Sequence, residues 1–168
     1  ATLGIEKGYS DHPADSGGKT NLGVTEALAR ASGFTGDMRD LTPALARGIY
    51  ARVFWKPLKL DEVAAWHEGV AAELFDSAVN AGVGTAATWF QRALNVMNRA
   101  GTLYPNIAVD GNIGPGTLKA MHAIVMAVDK LALLKALNCL QGAHYIELCE
   151  RREKDEAFIR GWLSRVRI

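Results

Sequence analysis

With 168 residues, 49% of them hydrophobic and 22% charged, the chain is long enough to bury a core and too apolar to remain disordered. Its net charge of +1, with acids and bases interleaved through most of the sequence, gives no basic stripe of the kind a nucleic-acid binder carries. No apolar run approaches the ~20 residues of a membrane span. No signal peptide stands at the start, although an upstream helix, anchor or signal would not be visible in this sequence.

In chain order, residues 1–7 read as the end of a helix, broken by Gly8 and by the Asp, Pro, Ser and Gly of 10–18. A long loop therefore follows directly on Glu6. The loosely alternating residues 20–25 predict a short strand or hairpin, with Gly17-Gly18 supplying a tight turn before it. A short helix is expected over 26–30. Thr42-Pro43 combines an N-cap residue with proline at the first helical position, so a second helix should run to about Phe54. Val70, Leu74, Ala78 and Ala81 follow a three-to-four spacing that predicts a helix over 64–81, which Gly82 and Gly84 break. Thr85 restarts a helix through Phe90, Leu94 and Met97. Pro105, Gly111, Gly114 and Pro115 mark 101–116 as a loop, after which one apolar helix is expected from Thr117 through Leu140 and another over 143–165. Helix dominates, with one small β element near the N-terminus. No internal repeat and no linker divides the chain; the 101–116 loop is the weakest point for a lobe boundary.

Cys139 and Cys149 fall ten residues apart in helical sequence, about 15 Å along the axis, which is out of reach of a disulfide. Both read as buried or surface thiols, and folding need not occur in an oxidising compartment. His12, His67, His122 and His144 show no paired metal spacing, and no cysteine completes a set. The chain is read as needing no metal or other cofactor. Neither cysteine sits at a helix start as a nucleophile would.

The run Ile5-Glu6-Lys7-Gly8-Tyr9, followed by Pro13-Ala14-Asp15-Ser16-Gly17-Gly18-Lys19-Thr20-Asn21-Leu22-Gly23-Val24-Thr25, resembles the glutamate-glycine-glycine-tyrosine motif and glycine-rich loop of the glycoside hydrolase family 108 muramidases. Lys7 stands where that family usually has glycine, while Gly8 and Tyr9 are retained. The resemblance continues through Phe75-Asp76-Ser77-Ala78-Val79-Asn80-Ala81-Gly82, Trp89-Phe90-Gln91-Arg92-Ala93-Leu94-Asn95, Val109-Asp110-Gly111-Asn112-Ile113-Gly114-Pro115 and the stretch from Phe158 to Val166. These later motifs are similar to the portion that accompanies the family, often described as a predicted peptidoglycan-binding domain.

The resemblance implies a mainly α, lysozyme-like single domain of two lobes, with a small β-hairpin or extended loop near the N-terminus. Residues 1–100 would form the catalytic lobe and 101–168 a helical region packed as part of the same unit. It implies cleavage of the β-1,4 bond between N-acetylmuramic acid and N-acetylglucosamine in peptidoglycan, with Glu6 as the catalytic residue. The chemistry agrees with that role: glycosidic cleavage needs a protonated carboxyl beside the leaving oxygen, and partial burial next to Ile5 would raise the pKa of Glu6. Phage-type lysozymes place an aspartate nine positions after the glutamate and a threonine six beyond that. Asp15 matches the first spacing, and Thr20 comes one position early. Either could position a water across the cleft; an Asx-turn is the plainer use of Asp15.

Tyr9, Asn21 and Asn80 are the expected substrate contacts, with helix capping as the alternative for Asn80. Asp110-Gly111 to Gly114-Pro115 reads first as a structural turn and second as a sugar contact. Of Trp55, Trp66, Trp89 and Trp162, at most one is expected in a cleft. Arg160, Arg165 and Arg167 make the last stretch locally basic, which reads as a solvated helix end before it reads as a site for an anionic wall polymer. The partner is the glycan strand of bacterial peptidoglycan, met by a monomer; no nucleic acid is expected. Family members are typically phage or prophage endolysins or secreted bacterial muramidases, made in the cytoplasm and acting in the periplasm or on the wall, with a holin as one route of release. A lytic transglycosylase using the same glutamate, and a noncatalytic peptidoglycan-binding module, are the two rival readings. A zinc amidase is the weaker third.

Overall fold

The computed structural model describes residues 8–10, 18–127 and 130–166. Cα packing divides the chain into two compact units, Ala1–Val53 and Phe54–Ile168.

In the first unit, Ser10 pairs antiparallel with Thr20, and strand β1 (Thr20–Asn21) pairs antiparallel with β2 (Val24–Thr25). The register places Thr20 opposite Thr25 and Asn21 opposite Val24. Leu22 and Gly23 make the reversal with φ of 52° and 76°, the two positive values that a twist-compatible hairpin turn requires. The expected hairpin is thus present. Its own turn is Leu22-Gly23, which a leucine in the left-handed region conceals from a sequence reading. Thr25 caps α1 (Glu26–Ala31) by accepting from Leu28 N at 3.3 Å. Asp37 accepts from Arg39 N at 2.8 Å to start a 3₁₀ turn over Met38–Asp40. As its Thr-Pro start predicts, α2 (Pro43–Tyr50) begins with Thr42 accepting from Leu45 N at 3.3 Å. The chain continues as a π-helix over Ala51–Trp55. Val24, Ala29, Met38, Leu41, Ala46 and Ile49 are buried and form the inside of this unit.

The second unit is helical. Helix α3 (Leu60–Trp66) and α4 (Glu68–Ala81) are separate, where one helix is expected from the sequence. The break is at His67, which is extended at φ −159° and whose Nδ1 accepts from Val70 N at 3.2 Å. Histidine is not among the usual N-cap residues, so the stop carries no strong local signal. Gly82 at φ 94° ends α4 and admits α5 (Val83–Val96). Helix α6 (Pro115–Ala127) and α7 (Lys130–Arg151) follow, then a 3₁₀ segment (Glu153–Phe158) and α8 (Ile159–Leu163).

The expected helices over 117–140 and 143–165 are therefore divided differently. Helix α7 runs straight through Leu140 and Gly142, holding both cysteines, Cys139 exposed and Cys149 buried. Interior glycine costs a helix about 1 kcal/mol. Against that, Leu133, Leu137, Gln141, Tyr145 and Cys149 recur every fourth residue and are all buried, so one continuous stripe faces the core. Burial of that stripe outweighs the local cost. The core itself is built from α3 to α7, with Leu60, Val63, Val70, Leu74, Phe90, Leu94, Met121, Ile124 and Leu133 fully enclosed.

Polar residues on one face of α5 fasten the long connection that follows it. Gln91 and Asn95 are four apart and so share a face. Gln91 Nε2 donates to Asp110 Oδ1 at 2.8 Å and to the Asn112 carbonyl at 2.9 Å, while its Oε1 accepts from Gly111 N at 2.9 Å. Asn95 exchanges two bonds of 2.9 Å with the backbone of Ile107. Tyr104 donates its hydroxyl to the Leu94 carbonyl at 2.7 Å, and burial pushes its pKa up to about 12. The Asp110-Gly111-Asn112 sequence is thus the structural turn expected of it. Gly111, at φ 75°, would bring a Cβ to 3.3 Å from the Gly84 carbonyl.

Candidate active site

Two of the residues read as catalytic, Glu6 and Asp15, lie outside the described residues. What the structure places is the pairing of Ser10 with Thr20. Ser10 N donates to the Thr20 carbonyl at 2.7 Å and Thr20 N to the Ser10 carbonyl at 2.8 Å. Asp15 falls between these two residues in sequence. Glu6 precedes the pair by four residues in sequence.

Tyr9, Thr20 and Asn21 are brought to this one hairpin. Tyr9 is half-buried, and the guanidinium of Arg39 lies over its ring, 4.6 Å from the centroid. Such a contact contributes on the order of 0.5–1 kcal/mol where solvent reaches it. Arg39 also lies 3.4 Å from Asp37, whose carboxylate is held below its ordinary pKa first by the Arg39 backbone N–H and then by nearby cations. The Thr20 hydroxyl donates to the Gly18 carbonyl at 3.3 Å. Asn21 is 7% exposed, and its Nδ2 donates to the Met38 carbonyl at 2.6 Å, tying the hairpin to the 3₁₀ turn. That bond fixes where β1 lies relative to Arg39.

Asn80 belongs to the second unit. It is exposed in the last turn of α4, with Nδ2 donating back to the Asp76 carbonyl at 2.7 Å. Beside it, Asp76 is the centre of a cluster that sequence spacing does not disclose. Its Oδ2 accepts from Gln141 Nε2 at 2.8 Å and its Oδ1 from Arg165 Nη1 at 3.2 Å, joining α4, α7 and the C-terminal segment. One locally basic residue of the C-terminus is therefore paired with a carboxylate. Of the tryptophans, Trp89 is buried against His144, and Trp162 lies between Tyr145 and Phe158. Trp55 donates Nε1 to Asp61 at 2.9 Å, and Trp66 lies against His122.

Arg39 is the residue of this region that reading the sequence passes over. It stands thirty positions from Tyr9, in a segment with no motif, and only the fold brings it over the ring. Among the described residues, no group of three or more His, Cys, Asp or Glu is placed to hold a metal ion.

Comparison with known proteins agrees with the sequence motifs. Residues 1–82 match the family model described as glycosyl hydrolase 108, and residues 85–167 match the model described as predicted peptidoglycan domain. The two matches meet at the Gly82 break between α4 and α5. Among solved structures, SagA from Brucella abortus is similar, with 27% identity, a TM-score of 0.71, and coverage of 96% of this chain and 82% of that one. No curated protein matches the chain.

Proposed function

Because the chain belongs to the glycosyl hydrolase 108 family and carries the peptidoglycan domain after it, it is a glycoside hydrolase of peptidoglycan, and we propose that it is an N-acetylmuramidase with Glu6 as general acid. The observation that carries this reading is the position of the glutamate-lysine-glycine-tyrosine run within the region that matches the glycosyl hydrolase model, directly before Ser10, which pairs with Thr20. Glu6, protonated, gives its proton to the oxygen leaving the muramic acid C1, and charge develops on the sugar ring. A water directed from the loop, by Asp15 or by Thr20, completes hydrolysis. Tyr9, Asn21 and Asn80 are the proposed sugar contacts; the Asn21 amide nitrogen is bonded to Met38, so its part is to hold the hairpin that presents its neighbours. The mechanism uses carboxyl and water chemistry and calls for no cofactor.

The enzyme acts at the cell wall, and we take it to work there as a monomer after synthesis in the cytoplasm, with release by a holin or another route. Among the described residues no helix is long and apolar enough to cross a membrane.

The test is the clearing of purified walls by the native chain and by Glu6→Gln. Glutamine keeps the shape of glutamic acid and cannot protonate the leaving oxygen, so the rate should fall about 100-fold to 10,000-fold while wall binding persists. Retention of more than about a tenth of native activity would remove Glu6 from the role. Asp15→Asn should slow turnover severely if Asp15 directs the water, and hardly at all if it only closes an Asx-turn, which asparagine makes equally well. Product mass separates hydrolysis from the transglycosylase outcome, which leaves an anhydro sugar lighter by one water. Activity should survive exhaustive chelation; loss restored by zinc would favour an amidase.

A further inference from the structure

Just past the end of α5, three consecutive residues take positive φ: Arg99 at 55°, Ala100 at 55° and Gly101 at 84°. The first two carry a Cβ, which disfavours that conformation, so something specific must hold them. Asn98 does. It is 3% exposed, its Oδ1 accepts from Gly101 N at 3.0 Å, and its Nδ2 donates to Asn106 Oδ1 at 2.6 Å. The bent backbone makes one wall of an open bowl of about 550 Å³, lined by Asn95, Val96, Asn98, Ala100, Gly101 and Asn106. That volume falls within the range of small-ligand sites, roughly 300–1,000 Å³.

The lining decides the chemistry. It holds three asparagines and no acid or base. Asn106 is exposed and accepts from Asn98 through its oxygen, which leaves its Nδ2 as a donor for an incoming carbonyl. The Leu94 carbonyl is taken by Met97 N and the Tyr104 hydroxyl. Those of Asn95 and Val96, at the end of α5, have no following helical N–H to meet and carry partial negative charge, so they accept from a ligand N–H and disfavour a carboxylate. Val96 is 80% exposed at the rim and offers an apolar surface beside these groups. A donor, an acceptor and an apolar patch in one uncharged bowl match a secondary amide.

We propose that this bowl is a second, noncatalytic binding site, taking a secondary amide of peptidoglycan. The proposal rests on the reading that peptidoglycan is the substrate, and it assigns a contact within residues 85–167, distinct from the loop that follows Glu6. Peptidoglycan offers this chemistry in two places, the acetamido group of its sugars and the peptide bonds of its stems.

The experiment titrates the full ¹⁵N-labelled chain with N-acetylglucosamine, with glucosamine and with a short stem peptide, none of which is cleaved. Shifts of the Gly101 backbone amide and the Asn95, Asn98 and Asn106 side-chain amides with N-acetylglucosamine, absent with glucosamine, support the site and assign it to the sugar. The same shifts with the peptide alone support it and assign it to the stem. Asn106→Ala should weaken sedimentation with purified walls about 5-fold, the effect of one lost neutral hydrogen bond. Val96→Glu, on an exposed position that folding does not depend on, should weaken it at least as much by blocking the rim. Silence of these amides with both amide probes, or native wall binding by both variants, overturns the proposal. Since no probe is hydrolysed, a failure of Glu6 as general acid would leave these results unchanged and is read separately from wall clearing.

Discussion

Ser10 and Thr20 exchange both of their backbone hydrogen bonds, at 2.7 and 2.8 Å, and so lie side by side although ten positions apart in sequence, with Asp15 between them along the chain. On the proposed role of Asp15 in directing the water, a displacement of about 1 Å would cost on the order of 100-fold in rate. Ser10→Pro removes one donor of the pair. Wall clearing should fall by about tenfold or more, with the thermal midpoint lowered by only a few degrees. A variant that clears walls at the native rate would show that the loop is positioned by other contacts.

The hairpin turn carries a residue poorly suited to it. Leu22 sits at φ 52°, where asparagine is far better tolerated, so Leu22→Asn should raise stability by about 0.5–1 kcal/mol. Gly23→Ala should do the reverse, because a Cβ there would stand 2.7 Å from the Tyr50 hydroxyl with φ at 76°. The expected loss is about 1–3 kcal/mol, measured by urea unfolding. Equal midpoints for both variants and the native chain would contradict the turn described.

Gln91 is 1% exposed and serves three groups of the turn over 110–112 at once. Gln91→Leu keeps the volume, strands the Gly111 N–H and leaves the Asn112 carbonyl with Gly114 N as its donor, at a cost of about 1–3 kcal/mol in chemical denaturation. There is also a pH signature. The Gln91 side chain, ahead of the Asn112 backbone N–H, holds the Asp110 carboxylate below its ordinary 3.8. A depressed folded-state value contributes stability that is present above the unfolded pKa and lost as pH falls through the folded one. The native chain should therefore lose stability below about pH 4, and Gln91→Leu should lose less of it over that range. Parallel curves for the two would dismiss the Asp110 contribution.

His144 packs against Trp89 at 5.2 Å between ring centroids, and burial lowers its pKa from 6.5, with Glu147 opposing and Arg151 and Arg152 reinforcing. Since the unfolded chain then takes up the proton more readily, stability is full above the ordinary value and declines as pH drops through it. Urea midpoints should fall between about pH 7.5 and about pH 5, and His144→Gln should flatten that decline. An unchanged slope in the variant would assign the decline to other groups.

The relation between residues and fold differs from element to element for physical reasons. Thr42-Pro43 announces a helix start because capping is local: one side-chain oxygen meets an N–H three residues on, and no distant contact is needed. The mainly helical class and the small hairpin near the N-terminus are legible for the same reason, through apolar spacing and turn residues. The break at His67 and the unbroken α7 through Gly142 are not, since the first rests on an unusual cap and the second on burial of a stripe against other helices.

Of the candidate site, the sequence by itself determined the motif: a glutamate, then Gly8 and Tyr9, then a loop too rich in Gly, Ser, Asp and Pro to be regular. Such a pattern is local, and its resemblance to a known family is what implies the reaction class without a structure. Tertiary structure alone decided that Ser10 closes on Thr20, that Arg39 lies over Tyr9, that Asn21 is tied to Met38, and that Asp76 joins Gln141 and Arg165. Each of these joins residues ten or more positions apart. Hydrogen-bond and charge partners at that separation are chosen by how the elements pack, and a sequence read along its length carries no distance between them.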